Sequence, residues 1–155
     1  MAEYSNATLQ TVNSGQDVIF SQTPVPCQRG FVQHRDEQGS FILSGWIPRQ
    51  TGCPCCKKDS ALYLVDFGAN IAIPAGGTVG EISLALTIGG SEISASIMIV
   101  TPAAVEQFFN VSRAINVQVF SNCCQALTVR NISNQPILVQ NANIIISRPD
   151  LTVTR

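Results

Sequence analysis

This chain has few charges, few aromatic side chains and a single histidine, and these shortages exclude several classes of function. Charged residues make up 12% of the sequence, against roughly 25% in typical soluble proteins. The net charge is -1 and the only two lysines are the adjacent Lys57 and Lys58. Because nucleic-acid binding needs clustered basic residues, we expect no nucleic-acid partner.

Long apolar runs are also missing. No stretch approaches about 18 consecutive apolar residues, so the sequence predicts no membrane span. The start of the chain, residues 1–6, lacks the basic start and apolar run of a signal peptide. We therefore expect synthesis and folding in the cytosol.

A catalytic constellation is equally hard to find. The lone His34 has no Ser or Cys with a clear claim on it as a base, and the ten acidic residues are scattered apart from the pair Asp36-Glu37. Asp66-Phe67-Gly68 matches a kinase tripeptide without the other kinase elements. Ala75-Gly76-Gly77 leads into a strand rather than a helix, so it cannot present phosphate to a helix N-terminus. We predict no enzyme activity and no catalytic or cofactor-binding residue.

What the chain does have is a repeated alternation of apolar and polar residues with a period of two. Ile82, Leu84, Leu86 and Ile88 fall on one side of a strand, and the Gly89-Gly90 turn follows them. The pattern predicts an all-β, two-sheet antiparallel sandwich of about ten strands. The expected strands are 17–22, 31–36, 40–47, 61–73, 80–89, 92–100, 112–120, 126–132 and 136–147.

Thr101 and Pro102 favour one short connector helix over 102–108. The pattern places one domain over 15–149, after an N-terminal segment 1–14 that is partly loose or docking and before a tail, 150–155.

Two of these strands are apolar on both faces. Strand 61–73 alternates Tyr63 and Val65 with Leu62 and Leu64, and segment 137–146 is apolar throughout much of its length. Strands of this kind are expected to be buried on both sides. In a two-layer sandwich the second face then needs a sister subunit, unless a long loop or the N-terminal segment covers it.

The cysteines form two clusters, with Cys27 apart from both. Cys53-Pro54-Cys55-Cys56 precedes strand 61–73, and Cys123-Cys124 follows strand 112–120, so the two loops could meet at one end of the sandwich. Such thiols form a disulfide between the clusters, bind a soft metal such as zinc, or remain free. The candidates for the disulfide and for the metal are the same: Cys53, Cys55, Cys56, Cys123 and Cys124.

Trp46 has two interpretations. With the neighbouring Arg49 it could form an exposed ligand patch, since aromatic and Arg side chains are common interface anchors. The preferred interpretation is that Trp46 caps the hydrophobic core.

The order of the strands resembles the tumour-necrosis-factor-like jelly rolls, a superfamily that includes the complement globular heads. The resemblance is one of pattern and order over about residues 15–149. It rests on Gly15–Phe20, Gly30-Phe31-Val32, Ser40–Leu43, Tyr63–Phe67, Leu84–Gly90 and Asn141–Ile146.

The resemblance is strongest to small standalone members found in phages and gut Firmicutes, and it implies a tight homotrimer. Members associate about a three-fold axis through an inner sheet, which here would hold strands 61–73, 112–120 and 136–147. Together with the doubly apolar strands, this predicts a trimer interface at Leu62, Leu64, Phe120, Ile137, Val139 and Ile145. The chain has no collagen or coiled-coil stalk, which favours a compact trimer.

The expected function is therefore a non-enzymatic structural protein of a bacteriophage virion, either a head decoration protein or a knob on a head or tail fibre. Its partners would be a capsid or other virion protein, or a host-surface ligand. One alternative is a bacterial surface or spore-coat domain for adhesion or assembly. A second is a carbohydrate-binding jelly roll.

Overall fold

The structure is a computed structural model that describes residues 1–48 and 58–151. Twelve strands are found in these ranges: β1 (Ala2–Asn6), β2 (Gln10–Val12), β3 (Gln22–Val25), β4 (Val32–His34), β5 (Phe41–Ser44), β6 (Ser60–Ala72), β7 (Ile82–Ile88), β8 (Ser91–Glu92), β9 (Met98–Val100), β10 (Phe109–Phe120), β11 (Cys124–Asn131) and β12 (Ile137–Ser147).

The strands form two six-stranded antiparallel sheets. The first sheet has the order β10-β6-β12-β1-β3, with β2 also paired to β12. The second has the order β4-β5-β11-β7-β8, with β9 also paired to β7. The predicted all-β sandwich is confirmed, and the three strands expected to share one sheet, β6, β10 and β12, lie side by side.

The core lies between the sheets and follows from the alternation. In β6, Tyr63, Val65 and Phe67 are fully buried while the residues between them point outward. Leu84 and Leu86 of β7 meet them from the second sheet, where they are equally buried. The side-chain period of two therefore sorts each strand into a core side and an outer side.

The N-terminal segment is part of the first sheet. Ala2 pairs with Ile146 and Asn6 with Ala142, so β1 extends the sheet beside β12. The side chains of Ala2 and Tyr4 are buried, which supplies the apolar face that holds this short strand in place. The sequence left open whether this segment is partly loose or docking, and in the structure β1 and β2 are both paired with β12.

A β-bulge corrects two of the predicted interface residues. The register of β12 against β6 shifts between Gln140 and Asn143, and Asn141 adopts a positive φ of 55°. The extra residue exchanges the two faces of the strand. As a result Ile137 and Val139 are fully buried in the core of their own subunit, so placing them at a trimer interface was wrong.

The predicted strand 92–100 is interrupted. Ser96 is fully buried, and its hydroxyl accepts from the N–H of Leu86 and contacts the carbonyl oxygens of Leu86 and Ile93. A 3₁₀ helix at Ser94–Ser96 thus separates β8 from β9. The hydroxyl replaces the ladder hydrogen bonds that a continuous strand would have made.

The connector helix expected over 102–108 does not form. These residues make turns, and the N–H of Glu106 donates to the carbonyl of Ile73 at 2.7 Å. Glu106 has a φ of 58°, which is incompatible with a right-handed helix. Within the described ranges, no helix has the length and apolar character needed to span a membrane.

Candidate functional surface

The outer surface of the first sheet, meaning the side chains of β6, β10 and β12 that point away from the core, gathers most of the residues that the sequence analysis selected. β10 and β6 pair over twelve residues without a register shift, from Phe109 with Ile71 to Phe120 with Ser60. This long regular pairing fixes which side chains share the surface. Its members include Leu62, Leu64, Asp66, Asn70, Asn110, Ala114, Asn116, Gln118, Phe120, Asn143 and Ile145.

One end of this surface is apolar. Leu64 is 42% exposed and Phe120 is 62% exposed, while Leu62 and Ile145 are partly buried. Leu64 lies between Asn116 of β10 and Ser147 of β12. The structure thus directs four of the six predicted interface residues outward, and it leaves two large apolar side chains exposed on its two longest strands.

The other end of the surface is lined by amides that hydrogen-bond to one another. The Asn110 amide donates to Asn70 at 3.2 Å, and the Asn70 amide donates to Asn141 at 3.4 Å. The Asn143 amide donates to the carboxylate of Glu3 at 2.7 Å. These side chains are therefore already ordered across four strands.

The free edge of the first sheet is a second feature of this region. Among the described residues, β10 pairs only with β6, which leaves twelve residues along an unpaired edge. Three apolar side chains are exposed along this edge: Phe108 just before β10, Phe109 at its start and Ile99 in the adjacent β9. Together they form the edge patch. A long unpaired edge with apolar side chains can pair with, or be covered by, another chain.

His34 is held inside the protein's framework. Its Nδ1 lies 3.0 Å from the carbonyl oxygen of Ser40, and its Nε2 lies 3.2 Å from that of Phe20. The ring stacks on Phe41 with centroids 4.3 Å apart. Both ring nitrogens thus face backbone carbonyls, and a neutral ring donates to one of the two, which indicates a structural role.

Trp46 is 61% exposed, so the prediction that it caps the core is wrong. The other interpretation paired it with Arg49, which lies outside the described residues. The backbone of Trp46 is nevertheless firmly placed, because its carbonyl accepts from the buried Arg148 at 2.8 Å. Gly45 precedes it at a point where a Cβ would clash with the carbonyl oxygen of Phe120.

Arg148 belongs to a buried ionic network that sequence reasoning missed. Its guanidinium makes two hydrogen bonds to Asp150, at 3.1 and 2.7 Å, and lies 5.2 Å from the ring centroid of Tyr63. Burial opposes both charges, yet the pairing prevails, lowering the pKa of Asp150 and raising that of Arg148. Burial raises the pKa of Tyr63 to about 12. The only signal in the sequence was an Arg-Pro-Asp run directly after a core strand.

The cysteine prediction is only partly visible. Cys123 and Cys124 are exposed and free, whereas Cys53, Cys55 and Cys56 lie outside the described residues. Residues 1–48 and 58–151 contain no group of three or more His, Cys, Asp and Glu side chains suited to a metal. A bridge or a metal shared between the two clusters stays a prediction.

Comparison with known proteins shows the fold. No family model matches the chain, and no curated protein does. The globular domain of zebrafish complement 1qA is similar over 93% of this chain and 94% of its own, with a TM-score of 0.58 and 11% identity. The Eiger TNF of S. frugiperda is similar over 99% of this chain and 93% of its own, with a TM-score of 0.61 and 13% identity.

A third structure, a family 35 carbohydrate-binding module, aligns over 97% of this chain at 13% identity with a TM-score of only 0.39. That likeness is too weak to support an argument. The chain therefore has a tumour-necrosis-factor-like jelly-roll fold, as the order of its strands predicted.

Proposed function

We propose that this protein is a non-enzymatic structural protein that assembles as a homotrimer through the outer surface of its first sheet. The observation that carries the proposal is the exposure of Leu64 and Phe120 on β6 and β10. Exposed apolar side chains that stand singly are common on monomers. Here they adjoin Leu62 and Ile145 and a twelve-residue open strand edge, which together form a surface suited to a partner.

A second argument favours a ring over a two-fold dimer. The apolar end of the outer surface and the edge patch occupy different parts of the molecule, one on a sheet face and one beside β9. When one patch on each subunit contacts a different patch on the next, the interface is heterologous, and it forms a ring where the rotation between successive subunits closes. The resemblance of the fold implies that three copies close the ring.

The composition of the surface is compatible with this assembly. Asp66 lies on this surface and Glu3 lies on the neighbouring β1, and Arg113 is the only lysine or arginine in β1, β6, β10 and β12. The Arg113 guanidinium donates to the carbonyl of Ile97, beside β9. An edge that carries Arg113 can thus approach the acidic outer surface of the next subunit with complementary charge.

At the finer level we propose a virion component of a bacteriophage, either a head decoration protein or a fibre knob. The low charge of the chain and its resemblance to small standalone jelly rolls support this assignment. A bacterial surface or spore-coat domain is the alternative. Mass spectrometry of phage particles and of cell envelopes purified from the source would distinguish them: the chain should be enriched in the particles, and enrichment in envelopes alone would refute the virion assignment.

Hydrogen exchange of β10 tests the assembly itself. In a trimer, the backbone amides on the free edge of β10 that do not bond to β6 should exchange slowly, because the next subunit covers them. Their protection should disappear in a Leu64→Asp variant, while the amides bonded to β6 stay protected. Fast exchange along this edge in the wild-type protein at high concentration would contradict the proposal.

A further inference from the structure

On the side of the sandwich opposite β10, a cleft opens between the edges of the two sheets. β3 ends the first sheet and β4 ends the second, and neither is paired on its far side in the described residues. The cleft between them has a volume of about 660 Å³, within the range of about 300–1,000 Å³ typical of small-molecule sites. It lies at the far end of the first sheet from the proposed trimer edge.

A buried tyrosine faces this cleft with an unused hydroxyl. Tyr4 is only 4% exposed, and its ring packs against His34 and Phe41 with centroids 4.9 and 4.8 Å away. Its hydroxyl has no hydrogen-bond partner within residues 1–48 and 58–151. No fully enclosed side-chain oxygen in these ranges lacks a partner, so the hydroxyl must reach the open space of the cleft that Tyr4 lines.

The protonation state of Tyr4 makes it a donor. Burial, with a smaller contribution from the nearby Cys27, raises the pKa of Tyr4 to about 12. A phenol keeps its proton at neutral pH even at the ordinary value of 10.0, and the raised pKa leaves this unchanged, so the hydroxyl can donate a hydrogen bond. A donor that opens into a cleft and has no protein partner is available to a ligand that brings an acceptor.

The charge of the cleft indicates what kind of acceptor. Among the described residues, Arg35 is the only Arg, Lys, Asp or Glu side chain that lines it, and Gln33, Gln38 and Thr23 add further donors. Apolar contact comes from Val32, whose side chain lies on the same face of the second sheet as the core residue Leu43. Both nitrogens of His34 face backbone carbonyls, so its ring serves as a wall and not as a ligand.

We propose that this cleft is a binding site for a small organic anion, a carboxylate with a compact apolar body. The carboxylate accepts a hydrogen bond from the Tyr4 hydroxyl and lies within the field of Arg35, while its apolar body contacts Val32 and the ring of His34. Cys27 lies at the same cleft, and its thiol becomes shielded when the site is filled.

Benzoate is a suitable probe, with neutral benzamide as its matched shape control. Binding is measured by NMR titration up to about 10 mM, which covers the weak affinities expected of so small a ligand. Benzoate should bind saturably and benzamide markedly less. Equal binding of the two, or no saturable binding of benzoate, would refute the proposal.

Three variants locate the site. Tyr4→Phe keeps the buried ring and removes only the hydroxyl, and it should weaken benzoate binding about tenfold, as expected for a hydrogen bond to a charged group. Arg35→Gln alters an exposed side chain without disturbing the fold and should weaken binding several-fold. Arg29→Gln, at an exposed arginine outside this cleft, should have no effect. Unchanged affinity in both Tyr4→Phe and Arg35→Gln would overturn the assignment.

Alkylation by iodoacetamide provides an independent readout. In a reduced sample from which zinc has been removed by a chelator, Cys27 should react more slowly when benzoate is present, while the exposed Cys123 and Cys124 react at an unchanged rate. Peptide mass spectrometry resolves the three thiols. Slowing of all three alike, or of none, would show that benzoate does not occupy this cleft.

Discussion

The outer faces of the two sheets differ in how they are covered. On the second sheet, Thr87 and Thr128 are buried and their hydroxyls lie 2.6 Å apart. Asp17 accepts hydrogen bonds from Thr128 and Arg130, and Arg130 also donates to the carbonyl of Gly90. The chain covers this face with its own polar side chains.

On the first sheet, such polar cover among the described residues is confined to one end of the outer surface, where Asn110, Asn70 and Asn141 are hydrogen-bonded to one another. The N-terminal strands could have crossed its outer surface, yet β1 and β2 extend the sheet sideways instead. Leu64 and Phe120 are left exposed, and β10 keeps an open edge. The polar cover of the second sheet and the exposed Leu64 and Phe120 of the first support the proposal that another copy of the chain packs against the first sheet.

The largest expected effect comes from placing a charge on the uncovered face. Leu64→Asp would bury an unpaired carboxylate in the trimer at a cost of about 3–5 kcal/mol per subunit. We expect dissociation, measured by light scattering coupled to size exclusion. Ile42→Asp, on the outer face of the second sheet, is the matched control and should stay assembled. If Leu64→Asp remains a trimer with unchanged melting, the face assignment is wrong.

The two arginine–aspartate pairs give the next contrast. The side chains of Arg148 and Asp150 are 0% and 6% exposed, whereas those of Arg130 and Asp17 are 26% and 29% exposed. Arg148→Met leaves a buried carboxylate unpaired and should cost about 3–5 kcal/mol. Arg130→Met should cost at most about 1 kcal/mol. Chemical denaturation checks both values, and equal losses would contradict the distinction.

The same buried pair predicts a dependence on pH. Arg148 holds the pKa of Asp150 below its usual value of 3.8. The stability that Asp150 contributes is therefore fully present above pH 3.8 and is lost as the pH falls through the lower folded value. Unfolding measured from pH 5 to about 2 should show a smaller loss in Asp150→Asn than in the wild-type protein. An identical slope in the two proteins would count against the pair.

The bulge in β12 should produce a smaller effect. Asn141 has a φ of 55°, a conformation that Gly adopts freely and β-branched residues strongly resist. Asn141→Val should lower the free energy of unfolding by about 1–3 kcal/mol, while Asn141→Gly should be nearly neutral. Thermal melting distinguishes the two. Tolerance of Val would imply that the bulge is not what sets the phase of the strand.

The sequence predicted most where alternation was unambiguous. In β6, Tyr63, Val65 and Phe67 recur with a strict period of two, and both the strand and its buried side follow from that pattern. In β12 the pattern is apolar at odd and even positions alike, so the bulge at Asn141 could not be located. Ile137 and Ile145 share a sequence phase but lie on opposite sides of the sheet.

Other features depend on contacts that no local pattern records. Ser96 fits the alternation of a strand, but its side chain is buried. Its hydroxyl accepts a hydrogen bond from the N–H of Leu86, which lies 10 residues earlier in the sequence. The pairing of Arg148 with Asp150 depends on two further contacts of the guanidinium, one with the carbonyl of Trp46 and one with the ring of Tyr63. The cleft at Tyr4 arises because two sheet edges stay apart, which is a property of the three-dimensional arrangement.

The smallest expected effect concerns the cysteines. Gly45 and Asp59 flank the segment that carries Cys53, Cys55 and Cys56. Both are hydrogen-bonded to residues 121–123, which lead into Cys124 at the start of β11. The N–H of Gly45 donates to the backbone carbonyl of Cys123 at 2.7 Å, and the N–H of Ser121 donates to the backbone carbonyl of Asp59 at 2.8 Å. We therefore predict a bridge or a shared zinc between the clusters. Peptide mapping without reduction, with a zinc assay, would detect either, and five free thiols with no bound zinc would contradict it.

The central claim is that the uncovered outer surface of the first sheet joins three copies of the chain. Light scattering on the wild-type protein, measured at micromolar concentration during size exclusion, tests it most directly. The account predicts a single species with three chain masses. A clean monomer at that concentration would contradict it.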